Sequence, residues 1–156
     1  MTTTQHTTQQ TAVLDRAVLD SAVLDSAVQR LAERFVEFLE TGDAPAGLFA
    51  DDVFCDFTMP HWRLQARGLA DVLGMRKHGH PSPGTVPRWR CDQTATGFVL
   101  ELEEAWEDGG QRWYCREMFR ADVAGGSIAE LSVYCTGDWD EARVAEHAAA
   151  VRLLRP

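Results

Sequence analysis

Between Phe98 and Cys135 apolar and polar positions alternate with a period of two, interrupted twice by glycine pairs. That rhythm predicts three consecutive antiparallel strands, because successive side chains of a strand point to opposite faces. In the first, Phe98, Leu100, Leu102, Glu104 and Trp106 share one face, and Val99, Glu101, Glu103, Ala105 and Glu107 the other. In the second, Trp113, Cys115, Glu117 and Phe119 oppose Tyr114, Arg116, Met118 and Arg120. Gly109-Gly110 suits a two-residue hairpin turn, whose positive φ angles glycine adopts at little steric cost. The turn sets the register, placing Trp106 opposite Trp113, Glu104 opposite Cys115 and Leu102 opposite Glu117. The other face then pairs Glu107 with Arg112 and Glu103 with Arg116, which suits a solvated surface.

Around this meander the spacing changes. From Ser26 onward Val28, Leu31, Ala32, Phe35, Phe38 and Leu39 follow helical spacing, and Thr41-Gly42-Asp43 stops the helix. Ala44–Ala50 reads as a short second helix. Val53–Met59 reads as a strand closed by Pro60, and His61-Trp62-Arg63 as a loop or short strand. Gly68–His78 reads as a helix. The segment 78–87, HGHPSPGTVP, with its prolines and glycines, reads as a lid-like loop. Arg88–Ala95 reads as a strand, and a last helix runs from about Asp140 to Leu153, with Asp138 or Asp140 as N-cap. Residues 1–11 are rich in Thr and Gln and are expected to be disordered. Residues 12–25 carry a tandem pentapeptide, AVLDR-AVLDS-AVLDS, expected as a helical extension. A period of five cannot keep a narrow apolar stripe on a helix. Residues 26–156 are then a single α+β domain, with helices covering one face of a curved antiparallel sheet.

Composition narrows the class. A chain of 156 residues, 45% hydrophobic and 25% charged, can form one soluble globular domain with a core. A net charge of −9 with no basic stripe argues against a nucleic-acid partner. No apolar run reaches membrane-spanning length, and the N-terminus lacks a secretory pattern, so a cytoplasmic location is expected. Cys55, Cys91, Cys115 and Cys135 show no C-x-x-C spacing and are expected to be free thiols, with Cys55, Cys115 and Cys135 pointing inward.

The hairpin register leaves two carboxylates, Glu104 and Glu117, on the apolar face. Burial would raise a carboxyl pKa and let it move a proton near neutrality. Ion pairs that serve structure alone also put charges in such places. His61, His78 and His80 are the imidazoles available as a second proton-transfer group, and His61, just past the strand-closing proline, is placed at the pocket mouth. A metal held by His78, His80 and Glu104 would rest on two loop histidines, so neither metal nor cofactor is expected. Trp62, Trp106 and Trp113 offer flat apolar walls for an aromatic or polyene substrate, or simply fill a core. Arg63 and Arg67 either receive an acidic substrate group or face water. Tyr134 points to the outer face.

The helix closing on LETGD, the LFADD segment before the first strand, and the MFRAD–GGSIAELSVY hairpin carry a resemblance. Together they resemble the nuclear-transport-factor-2-like superfamily, and within it the SnoaL-like polyketide cyclases and ketosteroid isomerases. The resemblance implies a cone that admits a small apolar ligand. Its lining would be Phe35, Phe57, Leu102, Glu104, Trp106, Trp113, Glu117, Phe119, Val133 and Cys135, and Trp62, Arg63, His78 and Cys115 join them as expected substrate contacts. The isomerase's oxyanion-donor tyrosine falls on Phe35, and its general-base aspartate at or beside Phe57. Only its protonated aspartate meets an acid, Glu117. The arginine of the epoxide-hydrolase variant falls on Arg116, whose parity points outward.

The reading that results is a cofactor-independent SnoaL-like enzyme. It performs acid/base chemistry (cyclisation, isomerisation or dehydration) on an apolar, partly conjugated substrate of secondary metabolism. Glu117 is the buried acid/base, Glu104 the neighbour that raises its pKa, and His61 the second proton-transfer group. A homodimer through the outer sheet face is expected, with no nucleic-acid or membrane partner. The alternative is a non-catalytic ligand-binding or dimerisation module of the same fold.

Overall fold

The computed structural model describes residues 26–155. The expected disordered tail (1–11) and repeat extension (12–25) lie outside the described residues. Helix α1 covers 26–41. Then follow β1 (Phe49–Met59), β2 (Trp62–Arg67), α2 (Leu69–Gly79), β3 (Gly84–Gln93), β4 (Gly97–Asp108), β5 (Gln111–Ala124), β6 (Ser127–Cys135), β7 (Trp139–Asp140) and α3 (Glu141–Ala150). The strands form one curved, unclosed sheet in the order β2-β1-β6-β5-β4-β3, with the short β7 beside β5. Only β1 and β6 run parallel among these pairs. Among the described residues no helix is long and apolar enough to cross a membrane.

The β4–β5 hairpin has the register set by its glycine turn. Trp106 faces Trp113, Glu104 faces Cys115, Leu102 faces Glu117 and Glu103 faces Arg116. Gly109 and Gly110 both take positive φ, 60° and 79°. Alternation then aims Phe98, Leu100, Leu102, Cys115, Phe119 and Ala121 into a core that α1 covers with Leu31, Ala32, Phe35, Phe38 and Leu39. Phe35 is the hub, its ring 5.0 Å from Phe119 and 6.1 Å from Phe49. On the outer face Arg116 reaches Glu101 at 2.7 Å and Glu103 at 3.9 Å. Such exposed pairs stabilise little.

Three expected elements differ. Ala44–Ala50 is a turn followed by the start of β1, not a helix. Pro45 accepts from the Leu48 N–H at 3.0 Å and Gly47 has φ 74°, so the backbone leaves the helical region there. Phe49 then pairs with Ile128. The segment 78–87 is not a long lid either, because β3 begins at Gly84. A Cβ at Gly84 would lie 2.8 Å from the Ala105 carbonyl oxygen, so the bare glycine lets this strand close on β4. Pro87 is tolerated because the ladder shifts between Thr85 and Arg88 on what is an edge strand. The adjacent Val86 N–H is satisfied by the Glu40 carboxylate at 2.9 Å. The last helix also ends at Ala150, short of Leu153, and Asp140 caps it by accepting from the Arg143 N–H at 2.8 Å.

Gly97 is held more tightly still. A Cβ there would lie 2.0 Å from the Ala121 carbonyl oxygen in the core ladder, where backbone cannot yield cheaply. Gly97→Ala is expected to destabilise the fold by about 2 kcal/mol or more. Thermal unfolding followed by circular dichroism checks this, and an unchanged midpoint would show that β4 is free to move away from β5.

Candidate active site

Glu104 and Glu117 are the buried charged carboxylates of the described core, 1% and 4% exposed. Their positions follow from strand parity: Glu104 sits opposite Cys115, and Glu117, two residues further on, sits opposite Leu102 on one side and Cys135 on the other. An isolated carboxylate cannot stay ionised in such a place, so each must find a partner or keep its proton.

Glu104 finds its partner on α2. The Arg76 guanidinium donates Nη1 to Oε2 at 3.1 Å and Nη2 to Oε1, a two-pronged contact that matches the planar geometry of both groups. Nη2 also donates to the Leu39 carbonyl near the end of α1 at 2.8 Å. Burial by itself would raise the Glu104 pKa. The hydrogen bonds from His80 and Arg76, with the guanidinium charge, outweigh burial and hold the carboxyl at about 2.

Glu117 has no such cation. Burial, and next the Glu104 charge, push its pKa well above the ordinary carboxylate value, so it holds its proton more tightly than a free carboxyl does. Its Oε2 is buried without a hydrogen-bond partner.

His80, the residue that ends α2, lies against this pair. Its ring stacks on Trp106, with centroids 4.1 Å apart and planes at 23°. Nδ1 is 2.7 Å from Arg76 Nη1 and 3.3 Å from Glu104 Oε2. Nε2 is 3.7 Å from Asp138 Oδ1. Nδ1 faces both an Arg76 N–H and Glu104 Oε2: in the neutral ring with its proton on Nε2 it accepts from Arg76, and when it carries a proton it donates to Glu104. Burial favours that neutral form, while the carboxylates of Asp138 and Glu104 favour the cation and raise the pKa on balance. A proton reaching Nδ1 requires Arg76 Nη1 to give way, and Glu104 Oε2 then accepts from Nδ1.

These groups border a hollow of about 80 Å³ open to a water-sized sphere. α1 contributes Phe35, Phe38 and Leu39, and β1 contributes Phe49, Cys55, Phe57 and Met59. α2 adds Val72, Met75 and Arg76, and the sheet adds Phe119, Leu131 and Val133. Glu117, Arg76, His80 and Asp138 are the ionisable groups on an otherwise apolar wall, apart from the Cys55 thiol, which burial pushes up to about 12. Asp138, with a side chain 39% exposed, marks the rim.

Of the residues singled out from sequence, Phe35, Phe57, Glu117, Phe119 and Val133 meet at this hollow. Glu104 sits beside it beneath Arg76. Leu102, Trp106 and Cys115 are buried on the same face, with Trp106 backing the His80 ring. Trp113 is half-buried at the hairpin end, stacked 6.4 Å from Trp106 and donating Nε1 to the Asp108 carbonyl at 3.2 Å. Cys135 lies beside Glu117, its thiol held near pH 7 by the Cys115 hydrogen bond and by the Gly137 N–H at 3.3 Å, against burial.

Four residues are not brought there. His61 is exposed in the turn between β1 and β2. Trp62 shares the inward parity of Met59, its partner, but lies at the open end of the edge hairpin and is 67% exposed. Arg63 has the opposite parity and pairs with Asp56 on the outer face. His78 is exposed on α2, because at 100° per residue it points away from the stripe that carries Val72, Arg76 and His80. Positions 72, 76 and 80 follow one another on the buried face of the helix, which carries Arg76, missed in the sequence, and His80, named there only as one of three histidines. Arg116 faces outward, as its parity requires.

No protein-family model matches the chain, and no curated protein matches it in sequence. Solved structures match in fold. An NTF2-like protein from Anabaena variabilis ATCC 29413 superposes with a TM-score of 0.61 at 18% identity, over 72% of this chain and 89% of that one. A provisional polyketide cyclase from Xanthomonas campestris pv. campestris gives 0.57 at 17% identity, over 70% and 90%. Another, from Pseudomonas putida KT2440, gives 0.56 at 18% identity, over 76% and 96%. At these identities the likeness is one of architecture, and the architecture is the expected one: this chain has the nuclear-transport-factor-2-like fold.

Proposed function

We propose that the protein is a cofactor-independent enzyme of the SnoaL-like kind, moving protons on a small, apolar, partly conjugated carbonyl compound. The observation that carries this reading is Glu117: a carboxyl 4% exposed, with one oxygen unpartnered, on the wall of an apolar hollow. A protonated carboxyl there can give its proton to a carbonyl or departing hydroxyl oxygen. The carboxylate so formed can take a proton from carbon, which restores the starting state. Cyclisation, isomerisation and dehydration all use these two transfers. The provisional polyketide cyclases among the similar structures support the same class. Within this reading the substrate belongs to secondary metabolism and the enzyme to the cytoplasm. Met118 and Tyr134, 46% and 61% exposed on the outer sheet face, suit contact with a second copy.

The roles differ from the sequence expectation in one respect. Glu104 rests ionised beside Arg76, and its charge favours the proton on Glu117. His61 has no part, since the turn holds it away from the hollow.

The test is uptake of deuterium at the α-carbon of a small enolisable ketone such as 2-indanone, followed by proton NMR in heavy water. Glu117→Gln is expected to slow protein-catalysed uptake by roughly a hundredfold or more. Ketone affinity should change little, because the amide has the shape and donor of the protonated acid. Equal uptake by both proteins would remove Glu117 from the chemistry.

Stability gives a second, substrate-free check. Glu117 titrates near its ordinary value of 4.5 when unfolded and higher when folded. Its contribution to stability is therefore full below 4.5 and is lost as pH rises through the folded value. Glu117→Gln lacks that loss, so its melting midpoint should gain on the wild type as pH increases from about 4.5 upward. Glu104 has the opposite sign. Its contribution is present above 4.5 and is lost as pH falls toward about 2. Glu104→Gln should therefore cost most at neutral pH and least in acid, and a pH-independent difference would show that Glu104 is not held ionised by Arg76.

A further inference from the structure

A buried acid/base needs a route by which its proton reaches water, and a substrate filling the hollow blocks the direct one. A polar path leads outward from Glu117. It passes from Glu117 to Glu104, whose carboxyl oxygens lie within 4.8 Å of each other in a cluster with His80 and Cys115. Glu104 Oε2 lies 3.3 Å from His80 Nδ1. The imidazole carries a proton in at one nitrogen and out at the other, and Nε2 faces Asp138 Oδ1 at 3.7 Å. Asp138, 39% exposed, meets solvent. Arg76 cannot carry the proton, because a guanidinium does not give one up in a protein.

We infer that His80 and Asp138 form a proton relay that connects the buried Glu117–Glu104 pair to solvent through the wall of the cone. The inference rests on Glu117 as the proton-transfer group.

The geometry supplies both a holder and a gate. Trp106, stacked on the imidazole, fixes the ring so that its two nitrogens face the two carboxylates. Arg76 Nη1 occupies the Nδ1 lone pair at 2.7 Å, so the relay opens when that contact loosens and Nδ1 takes the proton from the carboxyl pair. The balance is simple. Glu117 gives its proton to Glu104, Glu104 passes one to Nδ1, Nε2 releases one to Asp138, and Asp138 releases one to water. Glu104 and Asp138 end ionised as they began, Glu117 ends as a carboxylate with one proton delivered to water, and the ring ends with its proton on Nδ1. The path run in reverse returns the proton to Glu117 and to Nε2. The thiols of Cys115 and Cys135 also face this path, and that of Cys55 faces Glu117 across the hollow. Cys135 offers a rival route, because its sulfur, that of Cys115 and an Asp138 oxygen lie within 4.8 Å of one another. The two routes share Asp138 and differ in His80.

The test follows the protonation of Glu117 itself, in the full chain carrying glutamate labelled with carbon-13 at the side-chain carboxyl. The Glu117 signal is the one missing from Glu117→Gln. Through a pH titration it should move as a single averaged line in wild type and in Cys135→Ser. In His80→Gln and in Asp138→Asn, exchange should slow by at least roughly tenfold and the line should broaden or split. Adding free imidazole should restore averaging in His80→Ala, a response that a loss of packing alone would not give. Asp138 is a surface residue, so Asp138→Asn keeps the test available even where the His80 variants fold poorly. Slowing in Cys135→Ser with none in His80→Gln would overturn the relay in favour of the thiols. Unaltered averaging in both His80→Gln and Asp138→Asn, with Glu117 still titrating high, would overturn the relay and leave the acid/base reading standing. A Glu117 signal that titrates near 4.5 would overturn both.

Discussion

The contact between Arg76 and Glu104 is the constraint on which the rest of the site depends. It ties the last turn of α2 to the middle of β4, and through the Leu39 carbonyl it also holds the end of α1. A charge pair taken out of water repays its desolvation only when the geometry is good and the spare donors are used. Here both carboxylate oxygens are engaged and the guanidinium spends further donors on Leu39 and His80, but its Nε is left buried without a partner. The pair is better understood as a device that fixes an arrangement than as a source of stability, since an apolar pair of like volume would pack there at least as favourably.

Its consequence is electrical. One carboxylate held ionised in a dry wall disfavours ionisation of a second, so the resting proton of the pair lies on Glu117. Two residues of one chemical type thus differ in state because one has a cation and the other has only its neighbour. The asymmetry lies in α2, not in the strands that carry the acids. The fold tolerates the cost of a buried protonated acid and an orphaned oxygen because the phenylalanine core around Phe35 supplies ample apolar burial elsewhere.

The sheet and helices explain why the hollow is where it is. β1 and β6 run parallel while the meander β6-β5-β4-β3 runs antiparallel, and the sheet curves without closing. α1 packs into the core through Phe35, Phe38 and Leu39, and α2 lies against β1 and β2. The space left between them receives Glu117 from below and Arg76 and His80 from the side. The end of β1 and the loop carrying Asp138 form its rim.

The sequence by itself determined the meander. Period-two alternation and a Gly109-Gly110 turn allow one register, because a slip of one residue would turn every core side chain to water. The inward aim of Glu104 and Glu117 and the outward aim of Arg116 follow from that register alone. Local signals also reached α1 and α2 as helices and named Asp140 as one of two candidate caps. They failed at Ala44–Ala50 and at 78–87, where composition suggested a helix and a loop. There the decision belonged to partners distant in the chain, since Phe49 pairs with Ile128 and Gly84 with Trp106. The same reason limited the site. Which of three histidines meets the acids depends on how α2 lies across the sheet, and which of two acids loses its proton depends on an arginine 28 positions away from Glu104. Alternation is a property of neighbours in sequence, but the charge state of a buried carboxyl is a property of neighbours in space, and only the folded chain supplies those.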